Sequence, residues 1–194
     1  MTENIEIEFK NMLTKIEYQM FLREFNISQD DIFSQQNHYF DTPQFDLKAN
    51  ASALRIRQKN NQFEMTLKEP ASVGLLETNE LISENEAREA MELNKLPEGK
   101  IRDIIEEKGI PFQEIVYFGS LSTNRSEIAF KEGLLVFDHN LYFNKEDYEL
   151  EYEVNDYEKG NEAFLQLLRD YRVPERKTEN KIRRFYNVMK MMRP

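Results

Sequence analysis

The sequence predicts an α+β fold in which an eight-stranded antiparallel β-sheet closes into a barrel with helices packed outside. Three observations predict it: segments in which apolar and charged residues alternate, tight turns between those segments, and helical segments with an apolar face that a sheet can cover. The 194 residues contain no long Gly-, Ser- or Pro-rich linker, so we expect a single domain over residues 1–194.

The first half of the chain is predicted to hold five strands and three helices. The alternating segments place strands at residues 5–10, 36–40, 53–58, 63–68 and 75–82. Two capping boxes, Thr14 with Glu17 and Ser83 with Glu86, mark helix starts, because each side chain can bond the other residue's backbone N–H. The predicted helices cover about 15–25, 84–93 and 98–108.

The second half is predicted to hold the remaining strands and two closing helices. Strands are expected at about 116–125, 126–130, 134–143 and 148–154, with turns at 131–133 and 144–147. Helices are expected at about 161–171 and 178–191.

Charged residues share one face of many of these strands, since alternate residues of a strand point the same way. The charged faces carry Glu6, Glu8 and Lys10; Arg55 and Arg57; Glu64 and Lys68; Arg125 and Glu127; and Glu149, Glu151 and Glu153. A solvated polar face is the ordinary explanation for any one strand. Here, however, some strand faces are mainly acidic and others mainly basic, and the opposite apolar faces can pack against the predicted helices.

This segregation predicts that the charged faces point into the barrel. Burying so many charges in a dry interior would cost several kcal/mol per ion, so the interior is predicted to be wet and to bind a ligand. Clustered carboxylates suit hard divalent cations, and Arg and Lys suit phosphate oxygens. A polyphosphate with Mg²⁺ or Mn²⁺ fits both sets.

Composition excludes several other classes of function. The net charge of −10 argues against non-specific binding of nucleic acid. The absence of cysteine removes disulfides, thiolate nucleophiles and thiolate metal ligands. No signal peptide or apolar stretch of membrane-spanning length is seen, so we expect a cytoplasmic protein with no membrane partner.

An ordered series of motifs resembles the CYTH superfamily, also called triphosphate tunnel metalloenzymes, and within it the YjbK-like group of bacilli and staphylococci. Glu6 to Lys10 resembles the family's Glu-x-Glu-x-Lys signature, and the resemblance spans nearly the whole chain. The further matching segments are Tyr39-Phe40-Asp41-Thr42, Leu54-Arg55-Ile56-Arg57, Thr66-Leu67-Lys68, Asp138 and Glu149-Leu150-Glu151.

The resemblance implies an eight-stranded tunnel and a role for each matching residue. The implied metal ligands, for Mg²⁺ or Mn²⁺, are Glu6, Glu8, Asp138, Glu149, Glu151 and Glu153. The implied substrate-binding residues are Lys10, Arg55, Arg57, Lys68, Arg125 and Lys181. Glu6, Glu8, Lys10 and Arg57 are the candidate catalytic residues.

Two of the candidate positions have competing explanations. Glu77 lies where the family often has an alternating acidic strand, but Asn79 interrupts that alternation. Lys181 is the candidate for a basic residue that the family often places on a late helix, whereas a solvated helix face explains it equally well.

The resemblance predicts metal-dependent hydrolysis of a triphosphate, with inorganic tripolyphosphate as the expected substrate. Two alternatives stay open: an enzyme acting on an organic triphosphate, either a phosphatase or a class IV adenylate cyclase, and a non-catalytic sensor of nucleotide or polyphosphate. The expected partner is a small-molecule triphosphate, and the expected state is a monomer or homodimer.

Overall fold

The computed structural model describes residues 1–192, and within them eight strands form one closed antiparallel barrel in the order β1-β5-β4-β3-β2-β6-β7-β8. The strands are β1 Thr2–Leu13, β2 Phe33–Asp41, β3 Ala53–Lys59, β4 Gln62–Pro70, β5 Leu75–Ile82, β6 Val116–Phe130, β7 Gly133–Tyr142 and β8 Lys145–Val154. The predicted fold class is therefore confirmed.

Six α-helices accompany the strands in the described part of the chain. They are α1 Lys15–Glu24, α2 Asp46–Ala49, α3 Glu84–Leu93, α4 Lys100–Glu107, α5 Tyr157–Asp170 and α6 Lys181–Met192. Short 3-10 turns cover Gln29–Asp31 and Phe112–Glu114. None of the helices found among residues 1–192 is long and apolar enough to cross a membrane.

The local sequence explains where several elements begin and turn. Thr14 accepts a hydrogen bond from the backbone N–H of Glu17, and the Glu17 carboxylate accepts one from that of Thr14, so the predicted capping box is present. Asn60 and Asn61 turn the β3–β4 hairpin with φ of 49° and 60°, the left-handed conformation that a two-residue hairpin turn of this kind requires.

Several predicted boundaries were wrong. The strand break expected between Arg125 and Ser126 is absent from the described chain, because both residues pair in sequence with β7, opposite Asp138 and Phe137. The turn expected at 144–147 is shorter, since β8 already begins at Lys145. Helix α6 begins at Lys181 rather than 178, α5 begins at Tyr157 rather than 161, and the short helix α2 was not predicted.

The chain divides into two compact units that are each discontinuous in sequence. The first unit contains Met1–Ile5 and Gln35–Ser120, and the second contains Glu6–Ser34 and the chain from Leu121 onward. The first unit therefore holds β3, β4, β5 and α2 to α4. The second holds β7, β8, α1, α5 and α6.

Each unit has its own apolar core between a sheet face and its helices. In the first, Leu54, Ile56 and Met65 are fully buried against residues of α3 and α4 such as Ala90 and Ile101. In the second, strand residues meet helix residues of α1 and α5, as where the partly buried ring of Phe9 stacks on the buried ring of Phe164 at a centroid distance of 6.1 Å. Because side chains alternate along a strand, the charged residues between these apolar ones lie on the opposite face of the sheet.

Candidate functional site

The basic residues of the first unit lie on neighbouring strands. Arg55 pairs with Thr66 across β3 and β4, and Lys68 pairs with Glu77 across β4 and β5. Arg57 donates from Nε to Oδ1 of Asn37 at 3.0 Å. The structure thus brings Arg55 and Lys68 to one carboxylate and ties Arg57 to a neighbouring amide.

That carboxylate belongs to Glu77, the position that the sequence left undecided. Its Oε1 lies 2.6 Å from Nζ of Lys68 and 3.7 Å from Nη2 of Arg55. Burial alone would raise the pKa of Glu77, but Lys68, Arg55 and Arg57 outweigh it and lower the pKa to about 2. Glu77 is therefore an ionised counter-ion within a basic cluster. Asn79 stands where a further acidic residue would continue the alternation on this strand. Its Oδ1 instead accepts a hydrogen bond from Oγ1 of Thr66 at 2.8 Å.

The second unit contains a buried group of three carboxylates. Asp138 on β7 pairs directly with Glu149 on β8, and Glu151 lies two residues further along β8. One oxygen from each of the three lies within 4.8 Å of the others. Asp138 and Glu149 are fully buried and Glu151 is 3% exposed. Sequence analysis assigned all three to a metal site, and they do lie together.

Two strand residues supply positive charge to this acidic cluster, which we define as Asp138, Glu149 and Glu151. Arg125 donates to both oxygens of Asp138 at 2.7 and 2.6 Å and to Oε2 of Glu151 at 2.8 Å. Lys10 lies 3.5 Å from Oε1 of Glu151. Burial alone would raise the pKa of Asp138, but the charges of Arg125 and Lys181 outweigh it and hold the pKa below its ordinary value, so this carboxylate stays ionised.

Helix α6 supplies two more cations. The ammonium of Lys181 lies 2.8 Å from Asp138, 2.8 Å from Glu149 and 2.5 Å from Glu151. Arg184, one turn later, donates to Oε2 of Glu149 at 2.8 Å and to Oδ2 of Asp147 at 3.0 Å. Of the two explanations offered for Lys181, the solvated helix face is wrong, because its side chain is 13% exposed and faces the acidic cluster.

Arg184 and Asp147 were missed as candidate site residues. The spacing of Lys181 and Arg184 on one helical face was visible in the sequence and was the one available signal for Arg184. Asp147 had been placed in a turn, whereas it lies in β8, two residues before Glu149. Lys177, four residues before Lys181 in the sequence, is exposed and precedes the helix.

The remaining acidic candidates lie beside the cluster. Glu8 forms an ion pair with Lys10 at 2.6 Å and pairs in register with Glu153. Burial raises the pKa of Glu153 to about 7; Arg125 opposes this rise, and the nearby charges of Glu151, Glu6 and Glu8 add to it. Glu6, Glu8 and Glu153 are therefore close enough to interact, although the three-residue cluster does not include them.

The acidic cluster fits a divalent metal ion. Its donors are all carboxylate oxygens, as Mg²⁺ and Mn²⁺ prefer, and they are close enough to ligate one ion. Surrounding cations suit the oxygens of a phosphate group, because Arg binds them through paired N–H donors and Lys as a point charge.

Comparison with known proteins identifies the family. The CYTH domain model matches residues 4–186, so this chain belongs to the CYTH domain family. It is 48% identical over 186 residues to the Bacillus subtilis (strain 168) protein named "Putative triphosphatase YjbK", which covers 96% of both chains.

Solved structures share the fold. A Bacillus halodurans crystal structure described as "a putative adenylate cyclase" is 40% identical, with a TM-score of 0.92 over 96% of this chain and 100% of the other. The Hippeastrum protein HpAC1 is 24% identical, with a TM-score of 0.78 over 96% of each chain, a likeness that establishes the fold alone.

Proposed function

We propose that this protein hydrolyses inorganic tripolyphosphate with Mg²⁺ or Mn²⁺, acting as a single CYTH-like domain. The observation that carries the proposal is the buried acidic cluster ringed by Lys10, Arg125, Lys181 and Arg184. Carboxylate oxygens that suit a metal and cations that suit phosphate oxygens lie side by side here, which fits a ligand that brings metal and phosphate together. The name of the 48% identical relative, a triphosphatase, supports the same reaction.

The acidic residues are proposed to hold the metal. Asp138, Glu149 and Glu151 are its central ligands, and Glu6, Glu8 and Glu153 on the same side complete the ligand set or orient water. When bound, the metal neutralises charge on the phosphate oxygens and so acts as a Lewis acid.

The basic residues are proposed to bind the triphosphate. Arg125 and Lys10 contact Glu151 and are positioned to bind phosphate oxygens next to the metal. Arg55, Arg57 and Lys68 of the first unit are likewise proposed to bind phosphate oxygens, with Glu77 as their counter-ion when no ligand is present. Their charges stabilise the negative charge that spreads over the transferred phosphoryl group, which is the main requirement of this reaction.

Cyclisation of ATP is a second candidate function. One observation favours it: the Bacillus halodurans relative at 40% identity is described as "a putative adenylate cyclase". A cyclase releases pyrophosphate and cyclic AMP, whereas a triphosphatase releases phosphate, so the products separate the two functions.

A substrate panel tests the proposal. We expect tripolyphosphate to be cleaved to phosphate and pyrophosphate in Mg²⁺ or Mn²⁺ and to persist in EDTA, with ATP and thiamine triphosphate as the comparison substrates. Removing a metal ligand by Glu151→Gln should lower the rate by at least about 100-fold. Glu158→Gln, the same substitution at an exposed position of α5, is the matched control.

Three results would contradict it. Equal rates in metal and in EDTA would exclude metal-dependent hydrolysis. A parent-like rate for Glu151→Gln would remove the acidic cluster from the reaction. Cyclic AMP as the main product from ATP, with tripolyphosphate left intact, would replace the triphosphatase by the cyclase.

A further inference from the structure

Lys181 touches every member of the acidic cluster. Its ammonium lies 2.8 Å from Oδ2 of Asp138, 2.8 Å from Oε2 of Glu149 and 2.5 Å from Oε1 of Glu151. The ammonium donates a hydrogen bond to Glu151 and forms ion pairs with Asp138 and Glu149. The single lysine side chain therefore uses the same three groups that would ligate a metal.

The ammonium and a divalent cation cannot share these groups in this arrangement. The ammonium and the metal ion need the same lone pairs, those of the carboxylate oxygens that face one another in the cluster. The two positive charges would also lie only a few ångströms apart at a buried site. Binding of a metal by all three carboxylates therefore requires Lys181 to move.

The surrounding contacts allow that movement. After Lys181 leaves, Asp138 keeps its bidentate bond to Arg125, Glu151 keeps Arg125 and Lys10, and Glu149 keeps Arg184. None of the three carboxylates loses its last cation.

The position of Lys181 on α6 also allows it. It is the first residue of the helix, and its flexible unbranched stem can turn without unwinding a helical turn. Arg184 holds the next turn in place through Glu149, Asp147 and the backbone carbonyl of Glu179. The lysine can therefore swing while the helix stays fixed.

We propose that Lys181 is an exchangeable internal cation: it neutralises the acidic cluster in the metal-free protein, leaves when metal binds, and then binds a phosphate oxygen of the triphosphate. This inference rests on the proposed function of the cluster. Because the metal releases the cation that the phosphate uses, metal and triphosphate reinforce each other's binding, and such coupling is reciprocal.

Metal binding without substrate provides the first test. Lys181→Met keeps the stem and removes the competing charge, so Mn²⁺ affinity, measured by titration with detection of free Mn²⁺ by electron paramagnetic resonance, should rise by at least about fivefold. Lys159→Met, at an exposed lysine of α5, is the matched control and should leave the affinity unchanged. An unchanged or weaker affinity for Lys181→Met overturns the inference.

A second test uses the unmodified protein, in case Lys181→Met does not fold. An amine-reactive ester should label Lys181 slowly in EDTA and faster once Mn²⁺ alone is added, with labelling read by mass spectrometry and Lys159 as the internal reference. Labelling of Lys181 that does not respond to Mn²⁺ overturns the exchange.

The same measurements distinguish a failure of the proposed function from a failure of the exchange alone. If neither the parent nor Lys181→Met binds Mn²⁺, the cluster is not a metal site and both proposals are wrong. If the parent binds Mn²⁺, Glu151→Gln does not, and Lys181→Met binds no tighter, then the metal site stands and only the exchange is wrong.

Discussion

At Glu77, a single carboxylate offsets positive charge in a basic cluster that is proposed to bind phosphate. Its carboxylate contacts Lys68 at 2.6 Å, with Arg55 at 3.7 Å, on a face that is otherwise basic. Without a counter-ion these partly buried cations would repel one another. Glu77 removes most of that repulsion in the free protein, and we infer that its presence explains how the basic strands fold stably before any phosphate binds.

This role predicts how stability depends on pH. The pKa of Glu77 in the folded protein, about 2, lies below the ordinary value of 4.5. Its stabilising contribution is therefore complete above pH 4.5 and is lost as pH falls from there toward 2. Glu77→Gln should lower the free energy of unfolding by about 1–3 kcal/mol at about pH 6 and by clearly less at about pH 3.

Urea unfolding in EDTA at both pH values measures this difference. The exposed control Glu158→Gln should show no such change between the two conditions. A Glu77→Gln deficit that stays constant with pH would mean that the ion pair contributes nothing to stability.

Single residues also show which contacts of the site could be predicted from the sequence and which could not. Alternation placed Glu149 and Glu151 on one strand face, and the family motif pointed to Asp138. That Lys181 contacts all three could not be predicted, because the contact joins residues at least 30 positions apart and depends on how α6 is held. Arg184 was missed for the same reason, and Asp147 was missed because the sequence placed it in a turn rather than in β8.

At the scale of single elements, the segment 172–180 holds α6 against β1. The side chain of Asn11 accepts from the backbone N–H of Arg176 at 2.6 Å, and Met12 N–H donates to Oγ1 of Thr178 at 2.9 Å. The guanidinium of Arg176 donates to the Met12 carbonyl at 2.8 Å and to both oxygens of Glu17 at 2.9 Å. An irregular segment thus gains the partners that a regular element would supply internally.

These bonds predict that Arg176 anchors α6. Arg176→Ala removes a bidentate pair in which the Arg176 side chain is 31% and the Glu17 side chain 18% exposed. We therefore expect a loss of about 1–2 kcal/mol in the free energy of unfolding and faster hydrogen exchange in α6. Hydrogen exchange measured by mass spectrometry on peptides from α6 and α5 tests this, with α5 unaffected. Arg183→Ala, an exposed arginine of α6 paired with Glu179, is the control. Equal exchange in α6 for the two variants would contradict the anchoring role.

Elements with local signals were predictable, and those fixed by distant partners were not. Both capping boxes are present at the positions that the sequence indicated. Helix α2 gave no such signal, because the buried carboxylate of Asp41, several residues earlier, accepts the backbone N–H groups of Leu47 and Lys48. The sequence placed the start of β8 too late, because the first residues of this strand are polar and resemble a turn. In the structure, Lys145 of β8 already pairs with Tyr142 of β7.

At the scale of the whole molecule, the net charge of −10 conceals local charges of opposite sign. The first unit carries a basic sheet face around Arg55, Arg57 and Lys68, whereas the second carries the acidic cluster with its bound cations. A protein of strongly acidic composition can therefore bind a polyanion, because binding follows the local charge around the ligand rather than the total.

This distribution predicts that tripolyphosphate stabilises the folded protein and that Arg57 contributes to the effect. A ligand that binds only the folded state raises the melting temperature, so tripolyphosphate with Mg²⁺ should raise it in a Glu8→Gln background, chosen to prevent turnover. Arg57 lies in the same basic cluster around Glu77 as Arg55 and Lys68, so Arg57→Ala removes a like charge and should itself cost little stability. The same substitution should weaken tripolyphosphate binding by about 2–5 kcal/mol, as expected when one partner of a buried charge pair is removed.

Thermal melting of the Glu8→Gln protein and of the Glu8→Gln, Arg57→Ala double variant, each with and without tripolyphosphate, measures both effects. Adding Arg88→Ala instead, an arginine on the exposed side of α3 whose guanidinium contacts Asn85, provides the matched control and should leave the ligand-induced rise intact. An equal rise with and without Arg57 would mean that this arginine does not bind the phosphate chain. The absence of any rise in the Glu8→Gln background, with metal present, would instead show that tripolyphosphate is not bound there, because the stability of the free protein is measured in the same experiment.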